Sequence, residues 1–122
     1  GELGVGKTTF AKYLINILQK KNKQSVTDIF SPTFNLVHEY KLGSIIIKHY
    51  DLYRINYEKE LINIGIYEDN TNAIRLIEWP EKMKKNNTNN IIDLNFEYDD
   101  EYNKRFLTIS SNNKVSFINE FK

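Results

Sequence analysis

The chain has 122 residues, 40% hydrophobic and 27% charged, with a formal net charge of +1 and no cysteine. That length suits one domain with a modest core; near-neutral charge excludes a global attraction to nucleic acid or anionic lipid, and zero cysteines exclude disulfides and thiolate metal sites. No apolar run reaches the roughly 18 residues of a membrane helix and no signal-peptide pattern is read, so a cytoplasmic protein with no membrane partner is expected.

The first stretch is "GELGVGKTTF", in which Gly1, Gly6, Lys7 and Thr8 match the phosphate-loop spacing G-x-x-x-x-G-K-S/T. Glycines at 1, 4 and 6 permit backbone angles that turn successive N–H groups toward one anion. The helix behind them adds its positive end. Lys7 offers a flexible charge to the β- and γ-phosphates, and Thr8 a hydroxyl to Mg²⁺. Gly1, Gly4, Val5, Gly6, Lys7, Thr8 and Thr9 make up the expected nucleotide-binding set. Such a loop normally joins a buried strand to a helix, and here the motif begins at Gly1. The expectation is an N-terminally truncated domain whose missing strand would lie centrally in a parallel sheet. Its loss should lower solubility and ATP affinity.

From Thr8 to about Lys21 the pattern is an amphipathic helix, with Phe10, Leu14 and Leu18 every four residues and Ala11 and Ile15 beside them. In "VTDIFSPTFNLVHEY", Pro32 fixes a bend before an extended stretch from Phe34 to Tyr40. "KLGS" supplies a turn and "SIIIKHYDLY" returns as a β-branched strand, which predicts a hairpin. "YEKELINIG" is a short helix with Gly65 suited to a left-handed cap. "AIRLIE" is expected to be the best-buried strand, stopped by Pro80. After the polar "KMKKNNTNN", a second hairpin is predicted from "IIDLNFEY" and "RFLTISS" around "DDEYNK"; the tail "NNKVSFINEFK" carries no clear pattern. The fold class is α/β, a P-loop NTPase-like sheet with antiparallel additions, in one domain over 1–122.

A P-loop enzyme also needs a carboxylate to hold Mg²⁺ or orient the attacking water, at the carboxyl end of a buried strand. Glu78 ends "AIRLIE" and Asp51 follows "IIIKHY". The blander readings are a solvated strand end and a turn-initiating aspartate. His49 shares a strand face with Asp51 by period-two alternation, a conceivable metal pair. With only two histidines in the chain a transition-metal site is not expected, and His38 reads as structural. Thr33 in "SPTF" lies where P-loop proteins place a γ-phosphate-sensing segment, or simply satisfies a turn. Arg54 would meet phosphate or a neighbouring carboxylate; Trp79 would stack on a base or partner, or cover the sheet edge. The lysine runs at 20–23 and 82–85 read as solvated faces.

ATP is favoured over GTP because "NKQS" places Ser25 where a guanine-specific N-K-x-D loop has aspartate. No L-S-G-G-Q stretch marks an ABC-type ATPase. A nucleotide-binding regulatory module and a small P-loop kinase are the alternatives.

"GELGVGKTTF", "SPTFNLVHEY", "HYDLYR", "EL-x-x-x-G" (Leu61 to Gly65) and "IEWPE" occur in this order over about residues 1–82. Together they resemble the bacterial TsaE (YjeE) family, the ATPase subunit of the machinery that makes threonylcarbamoyladenosine in tRNA. The resemblance implies slow hydrolysis alone and work on a TsaB–TsaD heterodimer, whose TsaD-type subunit modifies tRNA. Contact with tRNA would therefore be indirect. By motif, Lys7 and Thr8 take phosphate and Mg²⁺, and Glu78 takes the Walker-B-like role. Asp51 acts on Mg²⁺ or water, Thr33 becomes switch-like, and Trp79 lies near the nucleotide or the partner face.

Overall fold

The computed structural model describes residues 1, 4–32, 34–68, 73–84 and 91–111. Two compact units emerge, Thr8–Met83 and the pair of segments Gly1–Lys7 and Lys84–Lys122. Among the described residues no helix is long and apolar enough to cross a membrane.

In the Thr8–Met83 unit, helix α1 (Lys7–Lys21) is followed by strands β1 (Val37–Leu42) and β2 (Ile45–Asp51), helix α2 (Glu58–Asn63) and strand β3 (Ala73–Glu78). β1 and β2 form the predicted hairpin, turning at Gly43, and β3 joins β2 in parallel, giving the order β1-β2-β3. The stretch 34–36 stays outside β1 because Leu36 adopts a left-handed φ of 67°, and its carbonyl instead accepts from Asp51 N–H.

Alternation sorts β2 into two faces. Ile47 packs with Ile15 and Leu18 of α1, Ile29, Leu42 and Leu76. Tyr50 faces the other way, into a cluster with Leu52, Ile55, Leu61 and Ile66 around α2. Burial pushes the Tyr50 phenol above its ordinary pKa. The sheet is thus sandwiched, with α1 on one side and the α2 connection on the other.

Two expectations change. The buried stripe of α1 is Ala11, Ile15 and Gln19, with Phe10, Leu14 and Leu18 only half-buried. Gln19 tolerates burial because its amide is satisfied, donating to Thr27 Oγ1 at 2.9 Å and accepting from Thr27 N–H at 3.3 Å. Secondly, Glu78 alone is buried in β3, whose other residues are half-buried or, at Ile74, exposed, while β2 carries the buried run. Among the described residues β2 is paired on both edges and β3 on one, which explains the difference.

α2 begins with Glu60 accepting from the backbone N–H groups of Asn56 and Tyr57, at 2.9 and 3.2 Å. It ends as predicted, at Gly65 with φ 69°. A Cβ there would also stand 3.0 Å from the Glu68 carboxyl. Gly65→Ala should therefore cost about 1–2 kcal/mol, read as a lower denaturant midpoint; an unchanged midpoint would contradict the left-handed cap.

In the other unit, β4 (Ile92–Tyr98) and β5 (Arg105–Ser111) pair antiparallel as predicted. Asp99 builds the turn, its carboxylate accepting from the N–H groups of Asn103 and Lys104. The predicted loop "KMKKNNTNN" lies mostly, and the tail after Ser111 entirely, outside the described residues.

Candidate nucleotide site

The loop residues owe their conformation to glycine and to the β4–β5 hairpin. Gly4 and Gly6 have φ of 74° and 117°, angles that side-chain-bearing residues rarely adopt. Gly1 is required for a different reason, since a Cβ on it would stand 2.5 Å from the Phe96 carbonyl oxygen of β4. Val5 is fully buried and anchors the loop, and Tyr98 Oη donates to the Gly4 carbonyl at 2.8 Å. The Lys7 ammonium donates to the Gly1 carbonyl, so the lysine folds back over its own loop. Thr9 is exposed.

Within the Thr8–Met83 unit, strand register assembles an acidic cluster. β2 and β3 run parallel and end together, with Asp51 opposite Glu78 and His49 opposite Leu76. His49, Asp51 and Glu78 lie on the α1 face, and Thr8 in the first turn of α1 donates to both Glu78 carboxylate oxygens, at 3.0 and 3.1 Å. Glu78 is 8% exposed.

His49 completes the cluster. Its ring is fully buried, and Nε2 lies 2.8 Å from Glu78 Oε1. A carboxylate only accepts, so Nε2 carries the proton and donates. His49 Nδ1 is buried without a hydrogen-bond partner among the described residues. His49 shares its strand face with Asp51 as the alternation predicts, and its hydrogen bond goes to Glu78 across the strands.

Asp51 is fixed separately. Ser31 Oγ donates to its Oδ2, and Tyr53 N–H donates to its Oδ1 at 3.0 Å. The second bond is an Asx-turn, so Asp51 does initiate the turn after β2. Ser31 ties the segment before Pro32 to this carboxylate; Thr33 lies outside the described residues.

A family model described as "Threonylcarbamoyl adenosine biosynthesis protein TsaE" matches residues 1–106. The chain belongs to the TsaE family. It is 40% identical over 121 residues to a tRNA threonylcarbamoyladenosine biosynthesis protein TsaE of Rickettsia felis, covering 99% of this chain and 68% of that protein. Identity to the protein of that name from Rickettsia conorii is also 40%, over 93% of this chain and 62% of the relative. With the Haemophilus influenzae protein it is 43% over 83 residues, 67% of this chain and 49% of the relative. The chain thus spans between about half and two thirds of these three relatives.

Two further family-motif residues have local partners. Trp79 takes a left-handed φ of 60° directly after Glu78, packs beside the α2 cluster, and meets the Tyr53 ring in a tilted contact with centroids 4.9 Å apart. Arg54 neither pairs with a described carboxylate nor turns inward; its guanidinium lies 4.4 Å over the ring of Phe34. The residue that sequence reasoning missed in this TsaE member is His49 as the partner of Glu78. The available signal was that two strand ends, "HYD" and "IE", each close on an acid.

Proposed function

We propose that this chain is a Mg²⁺-dependent ATPase serving tRNA threonylcarbamoyladenosine synthesis, a cytoplasmic subunit working with TsaB-type and TsaD-type proteins and reaching tRNA only through them. The observation that carries the reading is the bond from Thr8, the last residue of the phosphate-loop motif, to Glu78 at the end of β3. A motif hydroxyl and a strand-end carboxylate in contact form the metal-side half of a P-loop site. The TsaE relatives are named for the modification this ATPase would support.

Mg²⁺ prefers oxygen ligands and binds through one or two carboxylates together with substrate phosphates and water. The donor set fits: Thr8 and Glu78 would hold the ion, with Asp51 beside Glu78 in register. Bound there, it would offset charge on the transferring phosphoryl group. Gly4, Val5 and Gly6 present backbone N–H groups to phosphate, and Lys7 adds the flexible cation. Asp51, held by Ser31 and Tyr53, is assigned to orient the attacking water or accept its proton. Trp79 and Thr33 are assigned to nucleotide contact and γ-phosphate sensing.

Lys7→Ala should remove a charge-assisted contact worth about 1.5–3 kcal/mol, weakening ATP binding by roughly ten- to 150-fold. Calorimetry checks this, and equal affinity would rule out the assignment of Lys7. A regulatory module without turnover would instead gain thermal stability from ATP while releasing no phosphate.

A further inference from the structure

We propose that Arg105 is a phosphate-binding residue of the nucleotide site, a second cation beside Lys7. The inference rests on reading residues 1–7 as a phosphate loop.

Arg105 opens β5 directly opposite Tyr98 of β4 and belongs to the same compact unit as the loop. Tyr98 is the residue whose hydroxyl holds the Gly4 carbonyl, and its ring lies under the Arg105 guanidinium, 5.5 Å from Cζ to the centroid. Nη1 of Arg105 comes within 3.6 Å of where a Cβ on Gly6 would stand. The hairpin therefore delivers a guanidinium to the loop residue that immediately precedes Lys7.

Among the described residues this guanidinium makes no ion pair. Its neighbours are an aromatic face and a loop of glycines, neither of which neutralises it. A planar fork of N–H donors suits two phosphate oxygens at once. The competing arrangement is a surface strap, in which Arg105 on Tyr98 only braces the hairpin. A strap would be indifferent to the number of phosphates on the ligand, and a phosphate ligand would not be.

The test is calorimetry of ATP, ADP, AMP and inorganic tripolyphosphate against wild type and Arg105→Gln at two salt concentrations. Because Arg105 is exposed, the expected loss is modest: about three- to tenfold for ATP and tripolyphosphate at low salt, less for ADP, and none for AMP. The difference should shrink at high salt, and Arg105→Lys should recover part of it. Modification of Arg105 in the wild type by an arginine-selective dicarbonyl, followed by mass spectrometry, should be slowed by tripolyphosphate. Equal affinities, an equal loss across all ligands, or absence of protection would each overturn the proposal. Failure of the wild type to bind ATP or tripolyphosphate at all would overturn the phosphate-loop reading and this inference with it.

Discussion

Replacing Glu78 by glutamine is expected to lower ATP hydrolysis by roughly a hundredfold or more, with ATP affinity held within a few-fold. The substitution is close to isosteric. Glutamine retains a carbonyl oxygen able to accept from His49 Nε2, and its amide can still meet Thr8, so the cluster should survive folding. What disappears is the negative charge, the property needed to hold a hard cation or an attacking water. Phosphate release and calorimetry on the same preparation separate the two effects. Wild-type turnover in the variant would remove Glu78 from the reaction.

The second large effect is expected at His49. His49→Leu keeps most of the volume but deletes the donor 2.8 Å from Glu78 Oε1. A hydrogen bond to a charged group contributes about 1.5–3 kcal/mol, and that loss should appear in chemical denaturation. Hydrolysis should fall by roughly ten- to a hundredfold, because the carboxylate loses the buried partner that fixes its position. His49→Gln, which keeps an N–H near the place of Nε2, should recover much of the rate. The signature of positioning is a raised Mg²⁺ requirement with unchanged affinity for ATP in the absence of metal. A variant that loses stability but responds to Mg²⁺ as the wild type does would make His49 a packing residue alone.

The element order was legible because each element has a local cause. α1 begins within the loop motif, Gly43 and Gly65 supply left-handed turns, and both hairpins alternate around polar connections. The strand-end positions of Asp51 and Glu78 were also legible, since each closes an apolar run. What local pattern cannot supply is which strands become neighbours. Period-two alternation places His49 with Asp51, but only the parallel register of β2 against β3 brings Glu78 to His49. The buried stripe of α1 escaped for a similar reason. Gln19 looks like a surface residue until Thr27, eight positions on, satisfies its amide. Arg54 and Arg105 both rest on aromatic faces whose positions depend on folding, Phe34 for one and Tyr98 across the hairpin for the other.

The most direct test of the central claim is phosphate release from ATP by this protein mixed with its TsaB-type and TsaD-type partners, with and without Mg²⁺, for wild type and Glu78→Gln. The expected result is release that requires Mg²⁺, rises when the partners are added, and is lost in the variant. Release that is indifferent to Mg²⁺ and to Glu78, or a wild type that the partners fail to stimulate, would contradict it.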